Sequence, residues 1–479
     1  MKFIGTISLA SAALLMGQAA ENAKPVAENN AVVISNEYVN RLVAEARAKA
    51  ANAKPVTATN TVVISTEYIN RLVTEARTNN PSVKAVDSRA RAATLDVDAV
   101  RTWEDPMAMF GGSVFSNRGF DPAEEGDLIY GVEQKLPLWG RPKLTRRVAE
   151  AEAAMRAAEV NYRIQQLRGE ITKGLFLTAL AETVVEIGEQ DLAWLEAAAK
   201  ATDNKYRVGE AVVADTLQIQ NEVAKKDDSL RTDRRRLAHE RFALNRLLNR
   251  DPTASWPSLK LPPVAPAIPL SQKLLSLALQ NEPKLKVLEQ EIRQAGASAD
   301  LTRKSRLPNV SVDIEGKQYH GDGDFRMGMF ALRFSLPLGN RDKYRKDYER
   351  DKERQKSAEQ EREDQVLMVR EELHHLAVEI EAMRREALLY DEEITTRAAQ
   401  ALSSRLAEWQ AGRGTFRDVL DARRLLLESQ LMSARATARQ HQMLADMLLW
   451  TGLENLESLT SLANEAPLLP DHEDHEGKP

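Results

Sequence analysis

Lys135-Leu136-Pro137-Leu138-Trp139-Gly140-Arg141 returns about 200 residues later as Ser335-Leu336-Pro337-Leu338-Gly339-Asn340-Arg341. Other landmarks recur in the same order at nearly the same offset. They are Asn80-Pro81 with Asn281-Glu282-Pro283, Val208-Gly209 with Ala411-Gly412, and Asp215 with Asp418. This recurrence predicts two structurally similar halves, at residues 62–250 and 271–455, joined by a Pro-rich linker at residues 251–270.

A β-hairpin is predicted in each half, running into the repeated Leu-Pro-Leu. Residues 108–138 alternate apolar and polar side chains around the turn sequence Gly119-Phe120-Asp121-Pro122. Residues 309–338 do the same around Gly321-Asp322-Gly323-Asp324. A helix over residues 82–103 is expected before the first hairpin.

Two long helices are predicted after each hairpin, at residues 143–207 and 212–249 and at residues 342–410 and 415–451. In the third of these helices, apolar side chains follow the alternating steps of three and four that are typical of a coiled-coil seam. They are Val366, Val369, Leu373, Leu376, Ile380, Met383, Ala387 and Tyr390. A helix of about 65 residues is on the order of 100 Å long. The shorter return helix matches that length when it is stacked on the helix before the hairpin, so each half is predicted to be a rod.

The four predicted strands indicate that the chain must assemble with copies of itself. Strands of about 10 residues can cross a tilted bilayer, but four of them cannot close a barrel. An open sheet edge would leave amide groups without partners in hydrocarbon, so closure requires several chains. Alternation would turn Asp313 and Glu315 toward a water-filled lumen. Pro137 and Pro337 are expected to end the strands at the transition from the barrel to the long helices.

Both ends of the sequence differ in character from the two halves. Residues 1–20 carry a charged residue, an apolar run and small residues, the pattern of a secretory signal peptide. Residues 21–61 form a leader that is expected to be flexible. It contains the first copy of a local duplication, in which residues 24–47 return as residues 54–77. Residues 456–479 are predicted to be a disordered acidic tail.

Composition excludes several classes of protein. The 479 residues include no cysteine, so the chain has no disulfide, no thiolate metal site and no acylated cysteine. A net charge of −5 gives no reason to expect a nucleic-acid partner. No spacing isolates an acid/base pair, a nucleophile or a phosphate-binding loop, so the chain is interpreted as a non-enzyme without a cofactor.

The duplicated order of helix, hairpin, long helix and return helix, with its Leu-Pro-Leu and glycine landmarks, resembles the TolC-like outer-membrane efflux family over roughly residues 62–455. The resemblance implies a bacterial outer-membrane homotrimer in contact with lipid, with its tunnel in the periplasm. Four strands per chain would form a 12-stranded β-barrel, continued by a long antiparallel α-helical coiled-coil tunnel. The stretches Trp103–Met107 and Phe325–Met329 look most like the heavy-metal efflux branch of the family.

The same resemblance implies partners at the helical tips, where a periplasmic adaptor would link the trimer to an inner-membrane efflux pump. The residues that would contact the adaptor are Arg207, Val208, Gly209, Asp215, Gly412, Gly414 and Asp418. Simple helix reversal also explains the glycines, and helix capping explains the two aspartates. Both interpretations remain open at this point.

Three functions follow from the sequence. The first is a passive exit duct of a tripartite efflux system, and the second is the same duct made specific for metal ions. The third is a periplasmic coiled-coil scaffold without channel activity. Metal binding by His374-His375, or by the acidic and histidine-bearing residues 471–476, is the less favoured interpretation of those residues, so no metal site is predicted.

Overall fold

The computed structural model describes residues 61–112, 127–209, 212–319, 323–335, 337–466 and 468. The predicted signal peptide, the leader except Thr61, and the histidine-bearing end of the tail lie outside these residues. The predicted turn at residues 119–122 lies outside them as well.

The described residues are mainly helical. The helices are α1 (Thr66–Asn79), α2 (Pro81–Ala99), α3 (Arg141–Arg207), α4 (Val213–Leu248), α5 (Gln272–Asn281), α6 (Pro283–Ser305), α7 (Arg341–Leu388), α8 (Thr395–Gln410), α9 (Phe416–Thr451) and α10 (Leu456–Thr460). A π-helical segment, Leu389–Ile394, joins α7 to α8, and a 3₁₀ turn, Pro337–Asn340, precedes α7. The strands are β1 (Val62–Val63), β2 (Met107–Gly112), β3 (Asp127–Lys135), β4 (Leu259–Lys260), β5 (Val310–Tyr319) and β6 (Phe325–Phe334).

The two hairpins lie side by side in one sheet. Its strand order is β2-β3-β5-β6, and every neighbouring pair is antiparallel. The hairpins of the two halves therefore join through β3 and β5, where Glu133 lies opposite Asp313. The short strands β1 and β4 form a separate parallel pair.

A helical rod extends from this sheet. Helix α3 has 67 residues and is on the order of 100 Å long. It contacts both α2 and α4, the two shorter helices of its half, as the length comparison predicts. It also packs against α6 and α9 of the second half, so the two halves form one bundle.

The core of the first half is built around helix α1. The Ser65 hydroxyl caps this helix by accepting the amide proton of Tyr68 at 3.2 Å. One face of α1 is buried against α3, α4 and the segment between α4 and β4. The core side chains include Leu72, Val73, Leu167, Leu175, Phe176, Leu244, Leu248 and Trp256.

The predicted coiled-coil seam is confirmed in the core of the second half. Val369, Leu373, Leu376 and Ile380 of α7 are buried against α5 and α9. Ile268, from the predicted linker, belongs to the same core. The Pro-rich stretch at residues 251–270 is therefore packed against the bundle along part of its length.

The predicted disorder of residues 456–479 is wrong for residues 456–466. Leu456–Thr460 is helical, and Leu459 and Leu462 are buried in the second core. The Leu468 amide donates to the Leu270 carbonyl at 2.7 Å. The prediction relied on the acidic composition of the segment. Its few leucines nevertheless bury enough apolar surface to hold residues 456–466 against the second core.

The helix predicted at residues 82–103 also ends earlier than expected. It stops at Ala99, and Val100 adopts an extended conformation (φ −66°, ψ 110°) as the chain turns toward β2. Helix propensity alone does not locate such an end, since tertiary contacts decide where the chain leaves the bundle.

Candidate functional site: the two helical tips and the sheet

The two prolines of the repeated motif lie between a strand and a long helix. Strand β3 ends at Lys135, two residues before Pro137, and β6 ends at Phe334, three residues before Pro337. The 3₁₀ turn that leads into α7 begins at Pro337. Their assignment to a barrel-to-tunnel transition remains a prediction.

Arg141, the last residue of the same motif, ties the two halves together at this junction. Its guanidinium donates to the carbonyl oxygen of Lys304, in the last turn of α6, at 2.9 Å and to that of Leu307, between α6 and β5, at 2.6 Å. The indole of Trp139 donates to the Pro308 carbonyl at 2.8 Å. The role of Trp139 and Arg141 as a clamp between the halves was not predicted, because no local pattern in the sequence indicates their partners.

The first tip, defined here as residues 204–217 with the exception of 210 and 211, joins α3 to α4. Gly209 has a φ of 79°, and its amide donates to the Tyr206 carbonyl at 3.0 Å. Helix α4 begins after Val212, which offers no side-chain cap. Asp215 lies in the first turn of α4, where the helix dipole favours a carboxylate.

The side chains of the first tip present apolar surface to solvent. The exposed fractions lie between 44% and 69% for Tyr206, Val208, Val212, Val213 and Leu217. A group of exposed apolar side chains at one end of a rod marks a surface suited to protein contact.

The second tip, defined here as residues 407–420, joins α8 to α9. Gly412 has a φ of 71°, and its amide donates to the Trp409 carbonyl at 3.1 Å. A capping box begins α9: the Thr415 hydroxyl accepts from the Asp418 amide, and the Asp418 carboxylate accepts from the Thr415 amide, both at 3.3 Å. The hydroxyl and amide of Thr415 together hold the pKa of Asp418 below its ordinary value.

Apolar side chains of the second tip are packed inside it. Phe416, Val419 and Leu420 are buried against Leu195 of α3 and Ile219 of α4. The second tip therefore rests on the helices that carry the first.

Aromatic and backbone contacts complete this packing. The rings of Trp409 and Phe416 have centroids 5.2 Å apart, and Lys205 Nζ lies 4.5 Å from the Trp409 ring. A Cβ added at Gly414 would approach Glu408 Cβ to 3.2 Å, so glycine permits this close turn.

A charged cluster links three helices behind the tips. Asp191 of α3 is nearly fully buried and accepts from Arg423 Nε of α9 at 2.9 Å, while Lys226 Nζ of α4 lies 3.3 Å away. In a neighbouring pair, Arg424 Nη2 lies 2.9 Å from Glu222 Oε1. Burial opposes ionisation of Glu222, but hydrogen bonds from Arg424 and Lys225 lower its pKa on balance. The sequence carries no signal for this cluster, because such charges are ordinary for a helix surface and only the packing brings them together.

The two faces of the sheet differ in chemistry. On one face, Arg333 contacts Asp313 at 2.5 Å, Glu315 at 2.8 Å and Glu133 at 3.6 Å. The opposite face carries exposed apolar side chains of all four strands. They are Phe110, Leu128, Val132, Ile314, Phe330, Leu332 and Phe334. The predicted alternation of β5 is thus present, with Asp313 and Glu315 on the charged face and Ile314 on the apolar one.

Two features are absent from the described residues. None of the helices in these ranges is long and apolar enough to cross a membrane. In the same ranges, no group of three or more histidine, cysteine, aspartate or glutamate side chains could hold a metal ion.

A family model described as outer membrane efflux protein matches residues 72–250 and 274–453. The match covers most of the chain and falls in two segments separated by the Pro-rich stretch. A search of curated proteins found no match.

Solved structures share the fold at low sequence identity. The outer-membrane channel OprN is 18% identical with a TM-score of 0.70, over 80% of this chain and 89% of that one. The outer membrane protein VceC from Vibrio cholerae is 18% identical with a TM-score of 0.68, over 80% of this chain and 96% of that one. The CmeC outer membrane channel of Campylobacter jejuni is 14% identical with a TM-score of 0.69, over 93% of this chain and 98% of that one.

These comparisons confirm the expected TolC-like fold and the outer-membrane location. The matched family is one of outer membrane efflux proteins, not of enzymes. Because the family model matches both halves of the chain, the chain belongs to the outer membrane efflux protein family.

Proposed function

We propose that three copies of the chain form the exit duct of a tripartite efflux system, coupled to a periplasmic adaptor and an inner-membrane pump. The observation that carries the coupling is the exposed apolar surface of the first tip, at the far end of a helix of about 100 Å from the sheet. Solute would pass through without chemistry, driven by the pump.

Closure of the sheet supports the assembly. Strands β2 and β6 are the edges, and successive antiparallel pairings make them run in opposite directions. The β6 edge of one copy can therefore pair antiparallel with the β2 edge of the next. Three copies give about twelve strands, a number within the range of closed membrane barrels. The apolar face would meet lipid and the face with Glu133, Asp313 and Arg333 would line the lumen.

The predicted division of the chain belongs to this proposal. Residues 62–250 and 271–455 would each supply one hairpin and one helical rod, and residues 1–20 would be removed on export. At the tips, Arg207, Val208, Gly209, Asp215, Gly412, Gly414 and Asp418 remain proposed adaptor contacts. The geometry favours the residues of the first tip, since Asp418 is already engaged by Thr415.

The double substitution Val208→Asp and Val212→Asp tests the coupling. It places two charges on the apolar surface of the first tip, so dye efflux from cells should fall to the level of a deletion strain. Single-channel conductance of the purified protein in planar bilayers should stay unchanged, because the sheet is untouched. Leu95→Asp, at an exposed leucine of α2 away from the tips, is the matched control and should leave efflux intact.

Two results would contradict the proposal. A purified protein that is monomeric without detergent and gives no conductance would favour the scaffold alternative. Full efflux by the tip variant would remove the coupling role of the first tip while leaving the duct in place.

A metal-specific duct is the second candidate, and the methionines of the sheet favour it. Met107 and Met109 of β2 and Met327 and Met329 of β6 are exposed. Register places them on the charged face, with Met109, Glu315 and Met329 in one row across the strands. Thioether sulfur is a soft ligand that suits Cu(I). Pairing of β6 with the β2 of a neighbouring copy would bring Met327 and Met329 of one copy close to Met107 and Met109 of the next.

Replacing these four methionines with leucine tests the metal-specific duct. Leucine keeps size and apolarity but removes sulfur. Binding of Ag(I), used as a soft-ion probe, to the purified protein should fall at least tenfold, and silver tolerance of cells should fall with it. Met368→Leu, at an exposed methionine of α7, is the control. Unchanged Ag(I) binding, or a loss of dye efflux alone, would contradict metal specificity.

A further inference from the structure

The N-terminal end of the described chain lies in a groove formed by α3, α4 and the segment from α4 to β4. We name residues 62–77 the docked copy. Its strand β1 pairs in parallel with β4, and the Val62 amide donates to the Ser258 carbonyl at 2.8 Å. Its helix α1 packs into the first core. The docked copy is therefore held by backbone pairing and by burial at once.

Side chains add specific contacts to this docking. Ile64, Tyr68, Ile69, Leu72, Val73 and Ala76 are the buried ones. The Arg250 guanidinium donates to both Glu75 oxygens at 2.6 Å, which lowers the pKa of Glu75. Arg168 donates to the Asn70 side chain at 2.7 Å. The groove thus recognises a defined pattern of residues.

The same pattern occurs 30 residues earlier, at residues 32–47, which we name the first copy. Between residues 32–47 and 62–77 the sequences differ at three positions. These are Asn36 for Thr66, Val39 for Ile69 and Ala44 for Thr74. Ile69 is the only fully buried position among them, and valine there removes a single methylene. The counterparts of Ser65, Tyr68, Asn70, Leu72 and Glu75 are all retained in the first copy.

We propose that the groove accepts either copy, so that the first copy replaces the docked copy within the same chain when the latter is displaced or damaged. The groove is thus an interaction surface whose second partner is residues 32–47 of the same chain. This inference rests on the fold and does not depend on the transport function.

Chain connectivity sets which copy is bound at rest. The docked copy is followed directly by Asn80 and α2, whereas docking of the first copy requires about 30 intervening residues to loop out. The probability of closing a loop falls as the three-halves power of its length. A loop of about 30 residues therefore makes the chain with the first copy in the groove on the order of a hundredfold less populated. The first copy is therefore a reserve that binds once the docked copy is weakened by more than that factor.

Deletion of residues 48–77 is the first test. Because the duplication has a 30-residue period, the deletion joins Arg47 to Thr78 and sets the first copy in the register of the docked one. The shortened chain should assemble to the same oligomer in detergent as the full chain, with the same resistance to protease. Failure to assemble would overturn the proposal, since it would mean that the first copy does not fit the groove.

A charge placed in the groove is the second test. Leu72→Asp buries a carboxylate among leucines, which the docked copy does not tolerate. In the full chain the variant should still assemble, because the first copy takes over. Leu42→Asp in the shortened chain should not assemble, because no reserve is left. Loss of assembly in the full-length variant, equal to that of the shortened one, would overturn the proposal.

Cysteine labelling distinguishes exchange from simple tolerance, since the sequence contains no cysteine. Val43→Cys, the counterpart of buried Val73, should react with a maleimide in the full chain and become at least tenfold slower when combined with Leu72→Asp. Thr74→Asp, on the exposed face of α1, is the matched control and should leave the labelling rate of the Val43→Cys variant high. Unchanged reactivity in the Leu72→Asp background, or protection that appears only in assemblies larger than the wild-type oligomer, would overturn exchange within one chain.

Discussion

The first and second tips have the same backbone path but place their apolar side chains in opposite environments. Both reverse a long helix at a glycine of positive φ, Gly209 or Gly412. The first tip exposes Val208 and Val212, whereas the second buries Phe416. A duplicated element has thus become a surface suited to a partner in one half and a packed joint in the other.

Capping separates the two tips further. Thr415 and Asp418 form a capping box at the start of α9, while Val212 leaves the start of α4 without a side-chain cap. Asp215 nevertheless occupies the same position relative to its helix as Asp418. One side chain, at the N-cap, therefore decides whether the aspartate is engaged locally.

The largest effect is expected from a substitution that disrupts the packing of the second tip. Phe416→Ala should destabilise the second tip by about 3–5 kcal/mol, because it empties a fully buried site. Val208→Ala should change the free energy of unfolding by less than about 0.5 kcal/mol, because its side chain is exposed. Denaturant unfolding followed by amide hydrogen exchange at the two tips measures both. Equal losses would show that the tips are packed alike.

Glycine substitutions should instead affect the two tips equally. Gly209→Ala and Gly412→Ala should each cost about 1–2 kcal/mol, since both glycines have positive φ and neither has an atom within 4 Å of an added Cβ. Gly169→Ala is the control, because Gly169 lies within α3 and is equally open. It should stabilise the helix by up to about 1 kcal/mol in the same unfolding experiment. A cost at one tip alone would mean that the other relaxes to a different turn.

Exchanging the caps should move stability in opposite directions. Thr415→Ala should cost about 1 kcal/mol by removing the capping box. Val212→Thr should add a similar amount, because Asp215 already stands three residues further on. Hydrogen exchange in the first turns of α9 and α4 reports each change. If Val212→Thr gives no protection, Asp215 does not share the geometry of Asp418.

The smallest effect expected is a pH dependence of the second tip. The pKa of Asp418 is lowered in the folded chain, so its stabilising contribution is complete above its ordinary value of 3.8. That contribution should be lost as pH falls through the lower folded pKa. Hydrogen exchange of the start of α9 between about pH 5 and pH 2 should show it. Asp418→Asn should remove the dependence, and a profile unchanged by this substitution would assign it to another group.

Local sequence patterns predicted much of the fold. Steps of three and four placed Val369, Leu373, Leu376 and Ile380 on the buried face of α7, and alternation placed Asp313 and Ile314 on opposite faces of the sheet. These features depend on the period of a helix or a strand, which a short stretch of sequence already contains. The prediction of a disordered tail failed because it rested on the average composition of residues 456–479. Leu459 and Leu462 are buried in a core formed by residues distant in the sequence, which composition does not reveal.

The candidate site was predicted only in outline. The glycines and aspartates of both tips were identified from the repeat, and they do lie at the helix reversals. The asymmetry between the tips was not predicted, since Phe416 is buried by Leu195 and Ile219 from the other half. The contact of Asp191 with Arg423 and the Arg141 clamp were missed for the same reason, as these partners lie more than 100 residues away in sequence.

The sequence by itself determined the two repeats, the hairpins, the long helices and their reversal points, because each follows from local periodicity and from the conformational freedom of glycine. Only the tertiary structure decided which tip is packed and which is exposed, where the charged cluster forms, and that the docked copy fills a groove. Those outcomes depend on contacts between elements that are distant in the sequence, and such contacts are set by how the elements pack against each other rather than by any local pattern.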